Sequence, residues 1–277
     1  MEIGDKSLDS IGKFGFSYLT GSTWNPPREI FEVFPEIAGT LVSSIIALLI
    51  GVPISLGVAI FLAEMSGHTI RTVLGSVVEL LAAVPSVVYG FWGLAFFVPS
   101  VMRPIEHGLQ SVLGFLPLFQ GRITGFDMLS SGVILAIMIT PIVASISREA
   151  MLAVPNSQRE AAYALGGTKS EVIRMSVFGY ARSGIIAAVF LGFGRALGET
   201  MAVTMVIGNS LQIKASLFQP AQTLASLIAN DYAEATGAVA LSAIIEAGLM
   251  LLAISLIVNV GARFILRRVI KKGAQLI

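Results

Sequence analysis

The sequence has no cysteine in its 277 residues, which excludes disulfide bridges, thiolate nucleophiles and cysteine metal ligands. Charge is scarce as well. Only 13% of the residues are charged, against about 25% in ordinary soluble domains, and 55% are hydrophobic, the balance of an integral membrane protein. The two histidines, His68 and His107, both fall in predicted loops, so no imidazole base lies within an apolar run. With no Gly-x-Ser-x-Gly either, an intramembrane hydrolase lacks both nucleophile and base. A phosphate-binding Gly-x-x-x-x-Gly-Lys-Ser/Thr loop is also missing, since Gly12-Lys13 is followed by Phe14 and has no upstream glycine. Nucleotide must therefore bind elsewhere. No metal cluster and no nucleic-acid partner are expected, and the N-terminus lacks the pattern of a cleavable signal peptide.

What is present is a set of long apolar runs. They predict an all-α polytopic membrane protein with spans at about residues 37–63, 72–98, 128–147, 180–209 and 237–262, each long enough at 1.5 Å per residue to cross about 30 Å of hydrocarbon. Residues 1–36 mix Ile3, Leu8, Ile11 and Phe14 with Asp5, Lys6, Asp9 and Lys13, the pattern of an external amphipathic segment, and Asn25-Pro26-Pro27 breaks it. Residues 99–127 and 210–236 read as extramembrane loops, and residues 263–277 as a basic cytosolic tail. With the Arg148–Arg182 loop placed inside, the inner segments collect Arg71, Arg148, Arg159, Lys169, Arg174, Arg182 and the tail. The outer ones hold Lys6, Lys13, Arg28, Arg103, Arg122 and Lys214, so basic residues are in excess inside.

The fourth span carries a basic residue at its middle, in Gly194-Arg195-Ala196-Leu197-Gly198-Glu199-Thr200. An unpaired arginine at a bilayer centre costs at least ~2.5 kcal/mol, so it needs a partner or a watery cavity. The spacing of Arg195 and Glu199 would put both on one helix face, while Gly192, Gly194 and Gly198 remove bulk beside them. One reading is a structural ion pair that lets a polar helix insert; the other is a face lining an anion path. Thr200, Thr204 and Asn209 would offer polar groups along the same segment. Glu246, alone in the last span, either pairs with Arg195 or hydrogen-bonds a neighbour. Glu79 is expected near the inner interface.

In the inner loop, Ser157-Gln158-Arg159-Glu160 and Thr168-Lys169-Ser170-Glu171 both fit capping boxes, and Gly166-Gly167 fits a helix stop, predicting two short helices joined by a glycine turn. Within it, Glu160-Ala161-Ala162-Tyr163-Ala164-Leu165-Gly166 resembles the EAA loop of ABC importer permeases, although the proline that usually ends the motif is absent from Ser176-Val177-Phe178-Gly179.

A second resemblance narrows the class. Gly194 to Val203, Val84-Pro85-Ser86-Val87-Val88-Tyr89-Gly90-Phe91-Trp92-Gly93 and Phe14 to Trp24 look like the corresponding segments of PstC-type permeases of phosphate-specific ABC importers. Arg-Ala-Leu-Gly-Glu alone is shared with sulfate and molybdate permeases; the continuation Thr-Met-Ala-Val favours phosphate. The resemblance implies a MetI-like helical bundle in the bacterial or archaeal inner membrane, moving phosphate inward. A permease for molybdate, tungstate or sulfate is the alternative, and a passive anion channel a remoter one. It implies Arg195, Glu199, Thr200 and Glu246 along the substrate pathway, and Glu160, Ala161, Ala162 and Gly166 as the contact with an ATPase. The implied partners are a homologous PstA-type permease, two PstB-type ATPase subunits carrying ATP and magnesium, a PstS-type phosphate-binding protein and lipid, with no cofactor on this chain. Permeases of this type usually begin with one further transmembrane helix before the Phe-Gly-rich segment.

Overall fold

Among the described residues, five helices are long and apolar enough to cross a membrane: Phe34–Met65, Ser86–Leu113, Met128–Leu152, Lys169–Leu197 and Ala238–Leu266. Within lipid only such closed main-chain ladders satisfy every peptide group. The computed structural model describes residues 7–212 and 214–274, and their side chains other than those of 8, 9 and 267–274. The expected contributions of Ile3, Asp5 and Lys6, and the side chains of Arg267, Arg268, Lys271 and Lys272, lie outside the described residues. The chain divides into two compact units.

The first unit comprises residues 1–47, 85–135 and 196–256. It opens with α1 (Leu8–Phe14) and α2 (Ser17–Thr20), then β1 (Trp24–Asn25) paired antiparallel with β2 (Ile30–Phe31) around the turn that Pro26 and Pro27 impose. This segment does not lie free at an interface. Tyr18, Trp24, Phe31 and Val33 form one core with Leu224, Leu227, Ala243 and Ile244. The polar tips of the aromatics are matched: Tyr18 donates to Ala243 O at 2.6 Å, and Trp24 Nε1 to Asp231 Oδ2 at 2.7 Å. The outer end of α3 (Phe34–Ile60) follows, with Thr40 Oγ1 accepting from the Leu224 amide at 2.9 Å.

Where residues 72–98 predict one span, Val84-Pro85 splits it, because the residue before proline is driven out of the helical region. α4 (His68–Ala82) ends there, and Pro85 caps α5 (Ser86–Trp92). The helix then runs on through a wide-turn stretch, Gly93–Met102, into α6 (Arg103–Leu113). So half of the loop predicted at 99–127 is membrane helix, with His107 in it. Pro99 falls in the wide turns and Pro104 in a first turn, where the missing N–H costs little. The 210–236 loop is likewise corrected: Phe218, Gln222, Thr223 and Ser226 are buried, and α12 (Leu224–Asp231) starts on a reciprocal Thr223–Ser226 cap. The Leu224 amide there is met by Thr40 Oγ1 rather than by solvent. The last helix, α13 (Ala238–Ala274), begins in this unit.

The second unit comprises residues 48–84, 136–195 and 257–277. It holds the inner half of α3 with its extension Phe61–Met65, α4, the inner half of α7 (Met128–Leu152), α8 (Asn156–Ala164), α9 (Lys169–Val172) and α10 (Phe178–Leu197). Ala59, Ala63, Met151, Val154, Val177, Ala181 and Ile185 form its core. Pro53 and Pro141 sit inside their helices without ending them. Glu79 reaches Arg148 at 3.0 Å, near the inner loop as expected. Of the two predicted capping boxes only the second forms: Pro155 already occupies the first cap position, so Ser157 lies within the first turn of α8. Thr168 and Glu171 cap each other, and α9 continues through Ile173–Val177 into α10 as one helix.

Candidate functional site

Arg195 lies in the last turn of α10, on a helix otherwise free of charge from Ser183 onward. Its side chain is exposed and makes no hydrogen bond or ion pair with another described residue. Arg195 stands two residues from the end of the candidate span Lys169–Leu197 rather than at the middle of a span, because the helix stops at Leu197. A guanidinium within a span is not left to lipid, so this surface faces water or another chain. Gly192 lets the helix seat against Val143, where a Cβ would come within 2.6 Å of Val143 Cγ2; nothing approaches Gly194.

The predicted four-residue pairing of Arg195 with Glu199 on one helix is not formed. α10 stops at Leu197, and the division between the units falls after Arg195. The carboxylate is the reason: Glu199, 8% exposed, turns its Oε1 to the amide of Ala202 at 3.3 Å, capping the short helix α11 (Met201–Val206). Thr200 is half-buried at the cap position, and its carbonyl accepts from Thr204 Oγ1 at 2.8 Å. Asn209, with φ of 48°, donates to Thr204 O at 2.8 Å and closes the segment.

α11 packs on α5, and the contact is built on Gly90. A Cβ there would lie 2.9 Å from Ala202 Cα and 3.2 Å from Met201 O. The helices Ser86–Trp92 and Met201–Val206, far apart in sequence, thus meet backbone to backbone at Gly90 and Ala202. Glu246 stands elsewhere. It is 3% exposed, and its Oε2 accepts from Ser10 Oγ at 2.5 Å, so the reading realised is an acid bonded to a neighbour beneath the N-terminal segment.

The inner loop presents its motif outward. Glu160, Ala161 and Gly166 are exposed, Ala162 is half-buried, and Leu165 is 90% exposed. Gly166 takes φ of 82°, and the amides of Gly167 and Gly166 bond back to Ala162 O at 3.1 Å and Tyr163 O at 2.9 Å, a Schellman stop. Beside it lies a groove of about 880 Å³, lined by Ala161, Ala162, Leu165, Val172, Met175 and Tyr180 among others. Exposed apolar side chains around a groove outside the membrane mark a surface made for another chain.

Three polar positions were not predicted from sequence: Glu106, Asp127 and Ser130, all fully buried in the first unit. Asp127 Oδ1 accepts from the Ser130 amide at 3.0 Å, capping α7, and Ser130 Oγ donates to Glu106 Oε1 at 3.0 Å. Asp directly before the Met128 run was a legible cap signal; Glu106 was hidden in a stretch read as loop. Burial pushes the Asp127 carboxyl up to about 6, partly offset by the Ser130 amide. Because the folded value lies above the unfolded one, its ionisation lowers stability as pH rises from about 4 to about 6. Asp127→Asn keeps the cap and cannot ionise. It should raise Tm in detergent at pH 8 and change it little at pH 4; equal shifts at both would contradict this assignment.

Comparisons with known proteins agree with this architecture. The family model described as "Binding-protein-dependent transport system inner membrane component" matches residues 51–271. A Pasteurella multocida protein described as "Phosphate transport system permease protein PstC" is 44% identical over 273 residues, 97% of this chain and 85% of that one. A Methanocaldococcus jannaschii protein, "Probable phosphate transport system permease protein PstC", is 35% identical over 95% of this chain and 85% of its own. Among solved structures, a bacterial ABC transporter involved in import of the polysaccharide alginate aligns with TM-score 0.66 at 16% identity, over 96% of this chain and 88% of that one. The inward-facing MetNI methionine ABC transporter aligns with TM-score 0.58 at 18% identity, over 89% and 96% of the two chains. These two show a shared fold, the MetI-like helical bundle of ABC importer permeases. Matched over most of its length by the family model and by near full-length relatives, the chain belongs to the binding-protein-dependent transport system inner membrane components.

Proposed function

We propose that this chain is the permease subunit of an ATP-driven importer of inorganic phosphate. The observation that carries the reading is Arg195, an exposed guanidinium near the end of the candidate span Lys169–Leu197 without a partner among the described residues. An anion moving through the path would offset its charge, and a single cationic side chain would bind weakly enough for release. The choice of phosphate is supported by relatives named as phosphate permeases at 35–45% identity over 93–97% of this chain. Glu199 acts by holding the start of α11 rather than by pairing on the helix of Arg195. Thr200 stands at that cap as a pathway residue.

The loop from Glu160 to Gly166, with Ala161 and Ala162 on its outward helix, docks an ATPase subunit. The alanines let a groove close over α8, and Leu165 and Tyr163 fill it. ATP and magnesium are held by two such partner subunits. A second, homologous permease and an external phosphate-binding protein complete the assembly. Purified with these partners in liposomes, the complex should accumulate labelled phosphate only with ATP inside and binding protein outside. A hundredfold excess of sulfate or molybdate should leave uptake standing. ATP-independent flux would instead indicate a channel, and inhibition by either oxyanion would move the substrate assignment.

A further inference from the structure

We infer that Arg159 and Glu64 form a strut that ties the coupling helix to the inner ends of two membrane helices, so that motion of α8 is delivered to both. The inference rests on the reading that α8 docks an ATPase. Arg159 precedes the Glu-Ala-Ala motif, yet it points away from the docking surface: its side chain is 17% exposed, on a helix whose other residues, apart from half-buried Ala162, are exposed. Its guanidinium is fully engaged. Nη2 donates to Glu64 Oε1 at 2.7 Å and to Met151 O at 2.9 Å, Nη1 to Val154 O at 2.5 Å, and Nε lies 3.3 Å from Glu64 Oε1.

The acceptors belong to the ends of two elements. Glu64, 11% exposed, sits in Phe61–Met65 at the end of the first span. Met151 and Val154 are carbonyls at the end of α7, where a helix leaves its last acceptors without amides. The turn that carries Glu64 is itself held, because Arg71 donates to Leu62 O at 2.8 Å and to Ala63 O at 2.7 Å. A planar fork that joins α8 to two elements resists both translation and rotation of α8 against them, which a single ammonium cannot do. A pair this shielded is also far less screened than a surface one.

A helix cap that only stabilised the fold would leave the stoichiometry of transport alone, and that separates the alternatives. In the reconstituted complex, Arg159→Lys and Glu64→Gln should retain ATPase subunits on co-purification and hydrolyse ATP, while phosphate moved per ATP falls about tenfold. The KM for loaded binding protein should hold, and the exchange Arg159→Glu with Glu64→Arg should recover part of the ratio. An unchanged ratio in both single variants overturns the strut. So does loss of the ATPase subunits from both, which would make Arg159 a docking residue only. Failure of the wild-type complex to bind an ATPase or to move phosphate would refute the proposed function itself, before any variant is compared.

Discussion

Replacing Arg195 by alanine should leave the permease folded, assembled and bound to its ATPase subunits, while phosphate uptake falls by about 30- to 100-fold. The size follows from one charge-assisted contact, about 2–3 kcal/mol, at tenfold per 1.4 kcal/mol. The fold is spared because the guanidinium joins no described residue, so nothing within the chain loses a partner. Arg195→Lys keeps the charge without the planar fork and should recover part of the activity. Uptake at the wild-type level in the alanine variant would remove Arg195 from the path.

Gly90→Leu should fail earlier, at packing. The added Cβ would meet Ala202 Cα at 2.9 Å and Met205 Sδ at 2.8 Å, and the first of these is backbone that cannot swing aside. Forcing extra methylenes into such a contact costs about 1–3 kcal/mol or displaces the helices. Because the displaced element is α11, the cap that Glu199 makes is disturbed with it. We expect Gly90→Leu to lower Tm by several degrees and to abolish uptake. Gly90→Ala, where helix propensity gains about 0.5–1 kcal/mol against the contact, should fall between. A leucine variant with normal Tm and uptake would mean that α5 and α11 do not meet as described.

Features set by neighbouring residues were legible in the sequence. Apolar length marked five spans but misplaced the second and the fourth, which run over Ser86–Leu113 and Lys169–Leu197; Gly166-Gly167 marked the stop of α8, and Thr168 with Glu171 marked the next start, because each of these signals acts within a few residues. Features set by distant partners were not. Glu246 is decided by Ser10, 236 positions away, and the burial of Thr223 and Ser226 by a segment whose polar composition reads as a loop. The break after Leu197 was missed because Gly198 suggested helix packing, while the choice of Glu199 to cap Ala202 instead of facing Arg195 leaves no mark in spacing. The motif around Glu160 pointed to the inner loop but not to Arg159, whose role depends on where α3 and α7 end.

The absence of native cysteine allows the central claim to be measured at one atom. In the assembled complex, Arg195→Cys is exposed to a charged thiol reagent that does not enter lipid, with and without phosphate-loaded binding protein and ATP. A side chain lining an aqueous path is modified, and phosphate in transit slows the modification. A thiol that reacts only with a lipid-soluble reagent, or at a rate indifferent to phosphate, would contradict the account.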